Sequence, residues 1–336
     1  MLLWLLRIFY PLTEGIHNLD AGKGSVVWKL QGFLYIFNLG IFINSYLVPV
    51  NIRGFIFSLL GSHIGQNVMV GGNNFLTNLI APLNNEMIGI ATGFRWYLPV
   101  KNNFFSFLRS TWNGGGIVFL SNQKSNYAWG GSMAIRKDTF YACNVPDYWK
   151  NALSDDMIMS LVVRKNGLNI SFVPNCIVVT HEDCTFTEML EWTNRQTTIS
   201  KVYHPDLWKS IFFVHGTGNI ILGLGAILLI LCITSIINNS MIFLASILML
   251  AIIPMEMING FFLLPSIIKM LPEHKDKLQK SVIIYCCMAP AASILAFVNS
   301  FHSLFTNKIT WRGITYEMKS VNETIVCNHT ERTLPK

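Results

Sequence analysis

Residues 154–167 read SDDMIMSLVVRKNG, the strongest helix signal in the polar part of the chain. Ser154 is a residue type that caps helices, Asp155 and Asp156 fall in the positive first turn, and Met157, Ile158, Leu161 and Val162 form an apolar face. Arg164 and Lys165 suit the negative end, and Gly167 stops the helix. Outward from it, MIGIATGF (87–94) reads as a strand, AWGGSMAI (128–135) as a glycine turn entering a strand, and NISFVPNCIVVTHED (169–183) as an extended pair broken at Pro174. The texture from about Phe75 to Trp208 is therefore that of a mixed α/β domain.

The rest of the chain is of another kind. With 51% hydrophobic residues, 13% charged residues and a mean hydropathy of +0.42, it is too apolar for a soluble protein of this length. Three stretches, Ile211 to Ile237, Met241 to Ile268 and Ser281 to Leu304, are long enough to cross a bilayer, which takes about 20 residues. Val26 to Val50 is apolar but interrupted, and suits the interface as well as a span. The net charge of +7 is scattered, which argues against nucleic acid and for anionic headgroups. Cys143, Cys176, Cys184, Cys232, Cys286, Cys287 and Cys327 form no CxxC pair, which argues against a disulfide framework or a zinc site and suits a reducing, cytosolic face. No cleaved signal peptide is expected at the start.

Lys269, Lys275, Lys277 and Lys280 put the second connection on the positive, cytoplasmic side, together with the polar region before Ile211. Three full crossings would then strand the basic tail after Thr306 outside, so either the third stretch does not fully cross or the charge rule fails. Gly216, Gly218, Gly223 and Gly225 lack a preceding strand, so they read as helix-packing positions and not as a phosphate loop. Glu256, beside Pro254 in the second stretch, is a carboxylate in lipid: a functional candidate, or one satisfied by a neighbouring helix.

Asp155 and Asp156 are the sharpest candidates for chemistry, although the helix dipole alone accounts for acidic residues there. Their surroundings change the weighing. WGGSMAIRKDTF (129–140), the 154–176 stretch, EMLEWTNRQ (188–196) and the following spans resemble the second half of the catalytic domain of glycosyltransferase family 2, more narrowly the ceramide glucosyltransferase type. APLNNEMIGIATGFRWYLP (81–99) and ITWRGITYEM (309–318) extend the likeness over about residues 75–318.

The resemblance implies a partial GT-A (Rossmann-like) α/β domain followed by transmembrane helices; the composition suits a bacterium and the loop charges a cytoplasmic domain, so an integral protein of a bacterial inner membrane with the soluble domain cytoplasmic is expected. The resemblance further implies inverting transfer from a nucleotide-sugar, a UDP-sugar, to a lipid or lipid-linked acceptor, as in glycolipid biosynthesis. Asp156 would be the general base; Asp155, Gly130, Gly131, Ser132, Trp192, Arg195 and Gln196 would bind substrate. Domain boundaries follow at 1–74, 75–208, 209–306 and a polar tail at 307–336.

Two departures stand out. The family's (Q/R)xxRW motif runs here through Glu188, Glu191 and Trp192, with Arg195 and Gln196 one turn on as candidates to replace the lost cation. The resemblance also implies Mg²⁺ or Mn²⁺ held by a DxD pair in a donor-binding half, yet Asp20 is the only aspartate before Asp138 and no DxD occurs. His181, Glu182 and Asp183 could supply a ligand or simply end a strand. Residues 16–72 resemble instead the start of a hexapeptide-repeat acyltransferase of the exopolysaccharide type, through Arg53, Gly61, Ile64, Gly65 and Val68. Two readings stand for this beginning: a fusion or truncation product, or a divergent native anchor. The alternative function is accordingly a catalytically deficient remnant, acting as scaffold or partner to a complete glycosyltransferase.

Overall fold

The structure, a computed structural model, describes residues 73–101 and 103–329. The readings of Val26 to Val50 and of the acyltransferase-like residues 16–72 lie outside these. The chain divides into two compact units between Asn78 and Leu79. The described elements begin with helix α1 (Asn73–Ile80), and the second unit carries all those that follow.

Strand β1 (Ile88–Leu98) is the middle of a three-stranded sheet, antiparallel to β2 (Met133–Ile135) and parallel to β3 (Asn169–His181). It is buried along nearly its whole length, as expected of a strand covered on both faces. Helix α2 (Phe104–Leu120) packs on it and is tied to it by polar bonds: Asn113 donates to the Arg95 carbonyl at 2.8 Å and Ser110 to that of Tyr97 at 2.5 Å. A Cβ at Gly114 would lie 3.1 Å from the Trp96 ring, so glycine permits the close approach. The expected strand pair at 169–183 is one strand. The break at Pro174 appears as a register shift, with Thr92 facing Phe172 while Phe94 faces Ile177, which carries the donorless proline through irregular pairing.

Two short helices, α3 (Lys137–Ala142) and α4 (Val145–Trp149), lead to α5 (Asp155–Lys165). Its apolar face is as expected, with Ile158, Val162 and Val163 fully buried and Gly167 at φ +74 closing the end. The cap is not as expected. Ser154 precedes the helix, but its hydroxyl donates to Asp156 instead of accepting from the backbone, and Asp156 itself accepts from the Met157 N–H.

Helix α6 (Phe186–Tyr203) opens with a capping box in which Thr185 and Glu188 exchange bonds. Then come the apolar helices: α7 (Pro205–Ile233), α8 (Ser240–Leu250) with α9 (Ile252–Met270), and, after α10 (Lys275–Lys280), α11 (Val282–Leu304). The interruption at Ala251 precedes Pro254, whose missing N–H cannot bond to Leu250. Phe213, Ile227 and Ile233 on α7 and Leu248 and Phe262 on α8 and α9 are widely exposed, a surface that lipid can cover. All three stretches are long and apolar enough to cross a membrane, and the protein is membrane-associated. Of the four glycines of α7, Gly216 and Gly225 are close-packing sites, where a Cβ would meet Phe297 at 3.1 Å and Met249 at 2.7 Å; Gly218 and Gly223 face open space.

Within the described part of the expected polar tail, residues 308–329 form a second sheet, wholly antiparallel, of β4 (Lys308–Trp311), β5 (Ile314–Ser320) and β6 (Glu323–His329). Ile309 and Met318 from it are buried in the same core as Ile90, Ile158 and Val162. The basic connection also rests on the α/β domain, through Leu271 and Leu278 packed with Leu98 and Ile177. Helix α11 therefore leaves the domain and returns to it. Tyr285 near its start packs on Trp96 and Phe107; near its end Asn299 donates to Asn194 at 2.8 Å, and Ser303 accepts from Trp208 at 2.8 Å. Lys201 donates to the Ser303 and Thr306 carbonyls and so caps the negative end of α11.

Because α11 meets one domain near both of its ends, we expect that the third stretch does not fully cross and that residues 275 and 327 lie on the same side of the bilayer. In sealed vesicles, Cys327 and a cysteine introduced by Lys275→Cys will react with a membrane-impermeant maleimide together or be protected together, read peptide by peptide by mass spectrometry. Labelling of one without the other would contradict this topology.

Candidate active site

The glycine turn and the start of α5 meet at Asp156. Its Oδ2 accepts from the Gly130 N–H at 2.9 Å, and its Oδ1 accepts from Ser154 Oγ at 2.6 Å and from the Met157 N–H at 2.7 Å. Burial pushes its carboxyl above the ordinary aspartate range and the Asp155 charge adds to this, while the bonds from Ser154, Gly130 and Met157 oppose it. The result is a fixed, half-buried carboxylate that is a stronger base than an exposed one. Its charge and the burial of Tyr127 hold that phenol protonated.

The glycines act through close approach. A Cβ at Gly130 would sit 3.3 Å from Asp156 Oδ2, and one at Gly131 only 2.2 Å from the Trp129 ring. Ser132 is placed differently from expectation: its buried hydroxyl donates to the Cys176 carbonyl at 3.0 Å and its own carbonyl accepts from Gly93, so it fastens the turn to the sheet. Gly93 is part of the same seam, since a Cβ there would overlap the Cys176 carbonyl.

Asp155 and Asp156 line a cavity of about 650 Å³. Trp192, Arg195 and Gln196 from one face of α6 line it as well. The Trp192 ring stands edge-on to Tyr97 and Trp112 at centroid separations of 5.2 and 5.5 Å. A residue that sequence reasoning missed completes this wall: Arg95, one residue past the predicted strand, lies over Trp129 at 4.9 Å and donates to the Tyr97 hydroxyl at 2.9 Å. Its alternation with buried Phe94 and Trp96 was the available signal. Burial draws the Arg195 guanidinium down from its ordinary value, with Arg95 and Arg312 as neighbouring like charges. Two cations thus converge on one cavity wall, an arrangement suited to an anion.

One of the two acidic departures from the motif has a structural role. Glu188 is the third helical residue of the α6 capping box, and its bonds from Thr185 hold its carboxyl below the usual range. Glu191 is exposed. The 181–183 run is engaged elsewhere: Asp183 accepts from the Val100 and Lys101 N–H groups, Glu182 pairs with Arg109 at 3.3 Å, and His181 stacks edge-on with His274. Among the described residues no three His, Cys, Asp or Glu side chains group to hold a metal. Asp155, Asp156 and Glu256 are the carboxylates that line the cavity among the described residues, and both oxygens of Asp156 already accept bonds, so these three do not fit a hard divalent cation that wants about six oxygens.

A mixed α/β domain thus carries paired aspartates on a cavity that apolar helices also line. Residues 66–324 match the family model described as glycosyl transferase family 21, and the chain belongs to that family. No curated protein and no solved structure matches the chain.

If Asp156 serves as a general base, the acid limb of kcat/KM for transfer is expected to have its midpoint above the ordinary aspartate value of about 3.9, because a base works only when deprotonated. Ser154→Ala removes a bond that favours the carboxylate and will move that midpoint further up; an unmoved limb would contradict the assignment. Gly130→Ala will lower kcat by pressing on Asp156 while costing on the order of 1 kcal/mol in stability, compared by thermal unfolding and turnover.

Proposed function

We propose that this chain transfers a sugar from a nucleotide-sugar, a UDP-sugar, to the hydroxyl of a lipid acceptor with inversion at the anomeric carbon. Asp156 takes the acceptor proton as the oxygen bonds to that carbon; the bond from the carbon to the diphosphate breaks, and the nucleoside diphosphate leaves with the electron pair. Arg195, Gln196 and Arg95 face the leaving diphosphate, and Trp192 with Asp155 flanks the reacting groups. Gly130 and Gly131 act through the turn that holds Asp156. The observation that carries this reading is the cavity itself, which joins Asp156 to residues of the apolar helices such as His215 and Glu256. A base reached from within lipid-facing helices suits a lipid substrate.

In this reading the β2-β1-β3 sheet is the acceptor side of a GT-A domain, with the domain on the cytoplasmic face of a bacterial inner membrane. A second reading, a donor-deficient remnant or scaffold paired with a complete glycosyltransferase, is favoured by one observation. The described residues hold a three-stranded sheet and no set of carboxylates for the Mg²⁺ or Mn²⁺ that the resemblance implies.

Calorimetry of UDP-sugars with Mn²⁺ on the detergent-purified chain separates the two. Saturable binding, with Asp156→Asn retaining it but losing transfer by about 10²–10⁴-fold, is the expected result. No binding of any nucleotide-sugar would defeat catalysis by this chain alone and support the partner reading.

A further inference from the structure

The cavity has a second polar end, inside the apolar helices. His215 of α7, Glu256 of α9 and Ser293 of α11 line it there. They come from three different helices, each otherwise rich in apolar residues. His215 Nδ1 and Ser293 Oγ are 2.9 Å apart, and Glu256 lies near Ser293 on the wall of the same cavity. Asn219 braces the cluster by donating to the His215 carbonyl at 2.8 Å and to that of Ser293 at 3.4 Å. A carboxyl in an apolar helix is costly, and it is kept where it meets a polar partner or a cavity; Glu256 has both.

The order of the bonds decides what the cluster can do. Serine has one O–H to give. Given to the Glu256 carboxylate, it leaves Ser293 Oγ to accept from His215 Nδ1–H. Serine thus stands between histidine and acid, whereas a nucleophilic triad needs histidine in the middle, so covalent catalysis is not what this geometry offers. It offers acceptors: the remaining lone pairs of Glu256 and the Nε2 lone pair of His215. Such a surface takes a hydrogen-bond donor.

We infer that His215, Ser293 and Glu256 form a second binding point of the acceptor site, which takes a hydroxyl or amide N–H of the lipid headgroup other than the hydroxyl that reacts at Asp156. This rests on the proposed lipid-acceptor function. It makes the cluster a specificity determinant: lipids with two donors at their polar end bind across the cavity, and those with one leave buried acceptors unpaired, which is penalised.

The test uses the full chain in detergent with a short-chain fluorescent ceramide, the acceptor type that the resemblance names, and its analogue methylated at the secondary hydroxyl. Fluorescence anisotropy gives the affinity of each. The wild-type chain is expected to bind the methylated probe at least tenfold more weakly. Ser293→Ala and Glu256→Leu, the latter suited to an apolar helix, are expected to lose most of that discrimination, whereas Asp156→Asn keeps it and loses transfer. Equal binding of both probes by the wild-type chain, which involves no variant that could misfold, overturns the inference. So does undiminished discrimination in both cluster variants; in either case loss of transfer in Asp156→Asn leaves the proposed function standing. A wild-type chain that binds neither probe and transfers to neither overturns the lipid-acceptor reading and this inference with it.

Discussion

Strand β1 must be buried on both faces, and most of the molecule is arranged to satisfy that. Its first half, Ile88 to Thr92, pairs with β2 and β3 and underlies the glycine turn, since the Thr92 hydroxyl accepts from the Trp129 N–H at 2.8 Å. Its second half carries Phe94, Trp96 and Leu98 into a core shared with α9, α10 and α11, while Arg95 and Tyr97 border the cavity. One strand therefore fixes both the turn that holds Asp156 and the aromatic wall opposite. Gly93 sits between the halves, where no side chain would fit against the Cys176 carbonyl.

The membrane side follows from the same packing. Leu264 and Ile267 of α9 and Tyr285 of α11 are buried against the strand, so the apolar helices are extensions of the domain core and not a tethered anchor. Burial of such side chains stabilises by roughly 1.5–3 kcal/mol each, several times an exposed ion pair such as Lys150 with Asp147, which is worth about 0–1 kcal/mol. Hydrophobic packing thus outweighs surface charge in fixing the domain to its helices. It also accounts for a cavity that runs from an aspartate of the α/β domain to a glutamate of a membrane helix.

Of the two acidic residues that depart from the family motif, Glu188 has another task in the fold. Glu188 closes a helix N-terminus, and the helix would lose its capping box with an arginine there. The cations are supplied elsewhere, by Arg195 on α6 and Arg95 on β1, and both stay near aromatic rings, Trp311 and Trp129. Ser132, matched by motif, serves the sheet. A position in a motif tells which residue is present, and its partners decide what it does.

Local pattern alone made much of this legible. The helix from Asp155, the strand at MIGIATGF and the three apolar stretches rest on periodicity and on helix-end chemistry, which act between residues close in the chain. Asp156 is not distinguished by its carboxylate pair alone, which the helix dipole explains, but by the ordered set of motifs around it, 129–140, 154–176 and 188–196. What only the tertiary structure decided involves residues far apart. Arg95 joins Arg195 across a hundred positions, His215 meets Ser293, and residues 308–329 fold back onto the α/β core so that the third apolar stretch lies along the domain. Hydropathy records that a segment avoids water, but not whether lipid or protein covers it, because both are equally apolar. That choice is made by shape and by the few polar bonds at the helix ends, and it appears only when the chain is folded.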